Sequence, residues 1–157
     1  MSERILFPDI ESTLTAYLTT ELTAASDTAE VVTIVPDPRP ARWVRVYRAD
    51  RRRRMDREDD QGCRGPQLII DRPRVVFECY DGGGAAAELA ALVRAILAAA
   101  APGYLGAVWC DFIDDAGVVR DVDPATSEPR QVITADLYVR GTEPFSSSCS
   151  GLKLSIV

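Results

Sequence analysis

Four cysteines, a run of aspartates, a glycine triplet and a dense set of arginines are the residues of this 157-residue chain that could carry chemistry. Cys63, Cys79, Cys110 and Cys149 are far apart and form no C-x-x-C pair, whereas a structural zinc site needs clustered thiolates. Cys79 and Cys110 fall on the apolar faces of strand-like segments, where a free thiol behaves as a small hydrophobe. Asp81-Gly82-Gly83-Gly84 precedes a helical segment, and bare N–H groups at a helix start attract anions. Its spacing fits neither G-x-G-x-x-G nor a P-loop, and Asp81 would repel a phosphate, so the string reads as a strand-to-helix turn. Asp111, Asp114, Asp115, Asp121 and Asp123 lack the ligand order of a calcium loop and read as a solvated acidic stretch. Neither a metal nor a cofactor is expected.

What is missing narrows the chemistry further. There is no histidine, and Lys153 is the one lysine, so 17 of the 18 basic residues are arginine. Without histidine, Ser-His-Asp and Cys-His catalysis and histidine-bearing zinc sites are excluded. A P-loop or a buried Schiff-base lysine is equally out of place. A non-enzymatic role is expected. The arginine bias itself reads as the mark of a GC-rich genome.

The arginines are unevenly spread. Between Arg39 and Arg57 there are nine arginines and two acids, Asp50 and Asp56, on a chain whose net charge is −6. Arg48, Arg51, Arg52, Arg53, Arg54 and Arg57 could contact nucleic acid, where phosphate contacts supply most non-specific affinity. Aromatic stacking partners are not interleaved through that run, and the chain as a whole is acidic. Arginine also pairs bidentately with carboxylates at protein interfaces. The aspartates Asp111, Asp114, Asp115 and Asp121 of an identical neighbour could supply those carboxylates. A subunit contact, a solvated loop and a nucleic-acid site all remain open readings.

These residues must be positioned by a single domain, because 157 residues leave room for little more. Asp9 is placed to cap a helix whose stripe is Ile10, Leu14, Tyr17, Leu18 and Leu22. Val31 to Val35 reads as a strand, and Arg42 to Arg48 as a second, with Val44 and Val46 opposite Trp43, Arg45 and Tyr47. Residues 49–67 are almost devoid of apolar side chains and read as a long exposed loop. A third strand is expected from Arg74 to Tyr80. It is followed by an alanine-rich helix with the stripe Leu89, Leu92, Val93, Ile96 and Leu97, ended by Pro102-Gly103. A fourth strand, Leu105 to Ile113, puts Val108, Cys110 and Phe112 towards the core. Residues 114–130 read as a turn-rich acidic loop before a last strand, Val132 to Arg140. The expectation is an α+β fold, two helices packed on a largely antiparallel or mixed sheet of about five strands in the order α-β-β-β-α-β-β. Residues 1–141 form the domain and 142–157 a C-terminal arm. No apolar run approaches the ~20 residues of a membrane span, and the N-terminus lacks a signal peptide's order, so a cytosolic location is expected.

Several strings resemble one family. Phe7-Pro8-Asp9-Ile10-Glu11 opens the first helix, and Pro38-Arg39-Pro40-Ala41-Arg42-Trp43-Val44-Arg45-Val46 leads into the second strand. Asp71-Arg72-Pro73-Arg74-Val75-Val76-Phe77-Glu78-Cys79-Tyr80 follows, then the alanine-rich helix and the Asp123-Pro124 loop with Pro129-Arg130. In order and spacing these resemble the tail terminator proteins of long-tailed, siphovirus-type phages of actinobacteria, which share the lambda-type tail terminator fold. The resemblance covers residues 5–141. It implies a virion protein of the tail–neck junction, made in the host cytoplasm, that forms a hexameric ring on the finished tail tube. Such a ring stops tube polymerisation and presents the surface that joins the head. The implied partners are further copies of the chain, the major tail tube protein and a head-completion or connector protein. Genome DNA would pass the lumen without specific binding, which surplus negative charge suits. The long loop, here residues 49–67, would lie near ring contacts. The alternatives are another neck protein, a head-closure or head–tail adaptor, and a small nucleic-acid-binding regulator that uses the arginine loop.

Overall fold

The computed structural model describes residues 5–50 and 69–141. Asp9 caps the first helix, α1 (Ile10–Ala24), by accepting a hydrogen bond from the Ser12 N–H at 3.2 Å. The strands that follow are β1 (Glu30–Val32), β2 (Arg42–Arg48), β3 (Ile70–Asp71) and β4 (Arg74–Asp81). The second helix, α2 (Ala86–Ala100), leads to β5 (Gly103–Leu105), β6 (Val108–Val122) and β7 (Pro129–Arg140). One mixed sheet contains all seven strands, ordered β1-β2-β4-β7-β6-β5, with β3 beside the end of β7. Only β1 and β2 run parallel; the other pairs are antiparallel.

Both helices lie on the same face of this sheet. Ile10, Leu14, Leu18 and Leu22 of α1 and Leu89, Val93 and Leu97 of α2 meet Val44, Val46, Val75, Phe77, Cys79, Ile133, Ala135, Leu137 and Val139 in one cluster. Period-2 alternation on the strands and a helical stripe on each helix bring these side chains together. Leu92 and Ile96, expected in the stripe of α2, are only partly buried. Ala86, Ala90 and Ala100 are buried instead, and their small side chains let α2 lie close to the strands.

The fold is α+β as expected, but seven strands replace the expected five and the order is α-β-β-β-β-α-β-β-β. β3 is two residues long, too short to show any alternation. The segment expected as one strand, Leu105 to Ile113, is a hairpin: Gly106 takes a left-handed φ of 64° between β5 and β6. The acidic stretch expected as a loop from residue 114 is strand as far as Val122, and β7 begins at Pro129 rather than Val132. There pairing with β7 overrides the poor strand propensity of aspartate. Phe112, expected in the core, is 55% exposed. A bulge between Cys110 and Phe112 inserts Asp111 and reverses the alternation from Phe112 to Asp115, until a second shift before Val118 restores it. The first expected strand also shifts, to Glu30–Val32, leaving Ile34 and Val35 beyond its end and exposed.

Candidate functional site

On the face of the sheet away from the helices, arginines, carboxylates and aromatic rings alternate across the strands. Trp43 of β2 and Tyr80 of β4 are register partners whose rings stack 4.1 Å apart. Arg39 lies over both rings and is held there by Asp123 and Glu128, each at 3.0 Å. The Tyr80 hydroxyl donates to Asp123 at 3.3 Å. Next along β4 comes Glu78, 2% exposed, which accepts from Arg45 of β2 at 3.2 Å and from Arg130 of β7 at 2.5 Å. Arg130 also grips its register partner Asp121 on β6. Arg74 clasps its own register partner Asp136 at 3.0 and 3.2 Å, and Arg72 lies over the Tyr138 ring. Cross-strand opposite charges of this kind each stabilise a sheet by a few tenths of a kcal/mol to about 1 kcal/mol. Buried partners raise the cost of removing any one of them.

The rim of the helix-covered face is tied in the same way. Arg42 holds Asp27 through two bonds of 3.0 and 2.8 Å and reaches Asp81 at 2.7 Å. These hydrogen bonds keep the Asp27 and Asp81 carboxyls below the usual aspartate range and raise the Arg42 guanidinium. Asp123 is lowered first by the Ala125 N–H it accepts and then by Arg39. Arg130 is raised, chiefly by its bond to Asp121. Burial pushes the Cys79 thiol up to about 12 and raises that of Cys110 as well, which fits two buried thiols that serve as core hydrophobes.

The candidate residues read from the sequence divide into those bound inside the fold and those outside the described residues. Arg48 is engaged by Asp71 at 3.0 Å and by Asp50 at 2.8 Å, so its charge is spent within the chain. Asp111 binds Arg140, Asp115 binds Arg94 and Asp121 binds Arg130. The Arg140 bond, followed by that from the Trp109 indole, lowers the Asp111 carboxyl. Asp114 is exposed on β6 opposite Asp136 and forms no ion pair with a described residue. Arg51, Arg52, Arg53, Arg54 and Arg57 lie outside the described residues, as do Cys63, Cys149 and the arm 142–157. Of the expected loop, Ala49 and Asp50 are described. Both bond to the start of β4: the Ala49 N–H donates to the Arg74 carbonyl, and Asp50 accepts from the Arg74 N–H.

Sequence reasoning missed the central members of this face: Glu78, Tyr80, Trp43, Arg45 and Arg130. Period-2 alternation, which puts Trp43, Arg45 and Tyr47 on one side of β2 and Val76, Glu78 and Tyr80 on one side of β4, is the signal that points to them. Nine of the ten described arginines pair with a described carboxylate. Whatever the genome's bias, these arginines have a physical use here.

Most exposed large apolar side chains lie at the two opposite margins of the sheet; Leu6 and Phe7, before α1, are the exceptions among the described residues. Beyond β1, Ile34 is 79% exposed, with Val35 beside it in sequence. Along β5 and β6, Tyr104, Phe112, Val119 and Val122 are each more than half exposed. Next to the start of β7, Asp81, Gly82, Gly84, Arg120 and Arg130 line an open cleft of about 350 Å³. No group of three or more metal-binding side chains occurs among the described residues. No helix among them is long and apolar enough to cross a membrane. In comparisons with known proteins, no family model and no curated protein matches the chain.

Proposed function

We propose that the chain is a structural subunit of a phage virion, a tail terminator. It assembles as a ring on the tail tube, ends the tube's growth and offers its other face to a head-completion protein. The observation that carries this reading is the pair of exposed apolar margins, one at β1 and one at β5–β6. A closed ring of identical subunits needs two different patches that meet head to tail, and a sheet with unlike apolar edges offers them. The resemblance of the ordered strings in residues 5–141 supplies the assignment to the tail–neck junction. The acidic balance of the chain supports a lumen to which DNA does not adhere.

The long basic run belongs to the same reading as an inter-subunit or tube contact. Reversing Arg51–Arg54 to glutamate is expected to block tail completion while the isolated subunit keeps its folded circular dichroism spectrum. Normal infectious particles from that variant would remove the run from the interface. Electron microscopy of the purified protein with tail tubes tests the whole reading: rings seated on one tube end support it. Bare tube ends, and no ring at any concentration, contradict it. A regulator would instead bind DNA with an affinity that collapses with salt and with Arg51–Arg54→Ala.

A further inference from the structure

β6 is a 15-residue strand, but β5 covers its outer side only at residues 108–110. From residue 111 to residue 122 its outer backbone edge has no partner strand among the described residues. A long open edge with exposed Val118, Val119 and Val122 is a template for another strand. Its aspartates discourage unselected pairing, so the strand that fits must bring a cation. On one face Asp114 is exposed, stands opposite the like charge of Asp136 and has no ion-pair partner among the described residues. On the other face Ile113 and Val118 continue the margin of the helix-covered core.

The sequence after Gly141 contains the matching pattern. Leu152, Leu154 and Ile156 alternate with Lys153 and Ser155, and Lys153 is the one lysine in the chain. Laid along β6, the apolar set would extend the row of Ile113 and Val118 while Lys153 met Asp114. The chain leaves β7 beside Cys110, at the start of the open edge. Ten extended residues span roughly 33 Å, enough to bring Lys153 to Asp114 of the same copy or of an adjacent one. In the proposed ring this margin faces an adjacent copy, which puts that copy's arm within reach of it.

We infer that residues 152–157 of one copy pair as an added strand with the open edge of β6 in the next copy. The inference deepens the proposed ring and rests on that reading for the presence of a neighbour. The test uses the full chain with Cys63→Ser and Cys149→Ser, combining Val118→Cys with Leu152→Cys, Leu154→Cys or Ile156→Cys in turn. Under mild oxidation a covalent ladder of dimers and higher species is expected from at least one pair. Separately, Asp114→Lys or Lys153→Asp alone should weaken self-association by up to about fivefold, and the double reversal should restore it. A monomeric disulfide would overturn the inference by showing that the arm closes on its own subunit. So would self-association that persists with no disulfide at any position and no effect of charge reversal; the ring itself would then stand on another surface. A protein monomeric at every concentration and on tail tubes would overturn both this inference and the ring.

Discussion

Glu78 ties three strands together: it sits on β4, takes Arg45 from β2 and takes Arg130 from β7, and it is almost wholly buried. Removing it leaves two guanidinium groups facing one another across the space it filled. Glu78→Gln is therefore expected to destabilise the fold by about 1–3 kcal/mol, read as a lower urea midpoint with an unchanged slope. The aspartates set the acid limit. Asp27, Asp111 and Asp123 are held below the ordinary value of 3.8 by the arginines and N–H groups that bind them. A carboxyl lowered in the folded state contributes stability above its unfolded value and loses it as pH falls through its folded value. Urea midpoints should hold steady down to about pH 5 and fall through and below 3.8, and Asp27→Asn should flatten part of that fall. With no histidine, no side chain of ordinary pKa titrates between about pH 5 and 8, so the midpoint should be level there.

At the scale of elements, β6 decides the outcome. Its first three residues obey the alternation that the sequence displays, and a bulge at Asp111 then reverses it, which strands Phe112 on the outer face. A second irregularity lies between Asp115 and Val118, where Gly117 adopts a φ of 96°. A side chain there is strained, so Gly117→Val should cost about 1–3 kcal/mol. Amide exchange should quicken across residues 112–122 while α1 stays protected. Both helices, β2 and β4 were readable from spacing alone, because their apolar periods are unbroken: Ile10, Leu14, Leu18 and Leu22 are all buried as read. β3 was not readable, since two residues carry no period. Nor was the second half of β6, where Asp114, Asp115 and Asp121 look like a loop. Strand propensity is set there by cross-strand partners, and Arg94 lies 21 residues from the Asp115 that it binds. The same remoteness hid the candidate site. Arg39 and Asp123 meet across 84 residues, and no local pattern announces such a pair.

For the whole molecule, charge is sorted rather than merely abundant. The chain, of net charge −6, uses most of its described arginines to bind its own carboxylates, while most of its exposed large apolar side chains lie at the two ends of the sheet. That distribution makes the apolar side chains at the sheet margins, more than the paired aspartates of β6, the natural points of contact in the proposed ring. Self-association should accordingly depend on apolar side chains: Val119→Asp together with Val122→Asp should weaken it at least tenfold in sedimentation while leaving the urea midpoint nearly unchanged, because both residues are more than half exposed. The capping role is tested by the growth of tail tubes assembling from purified tail tube protein, followed by electron microscopy after this chain is added in small excess over tube ends. A tail terminator stops growth, leaving a ring on the growing end and lengths fixed at those reached on addition. Tubes that keep lengthening at the same rate, with bare ends, would contradict it.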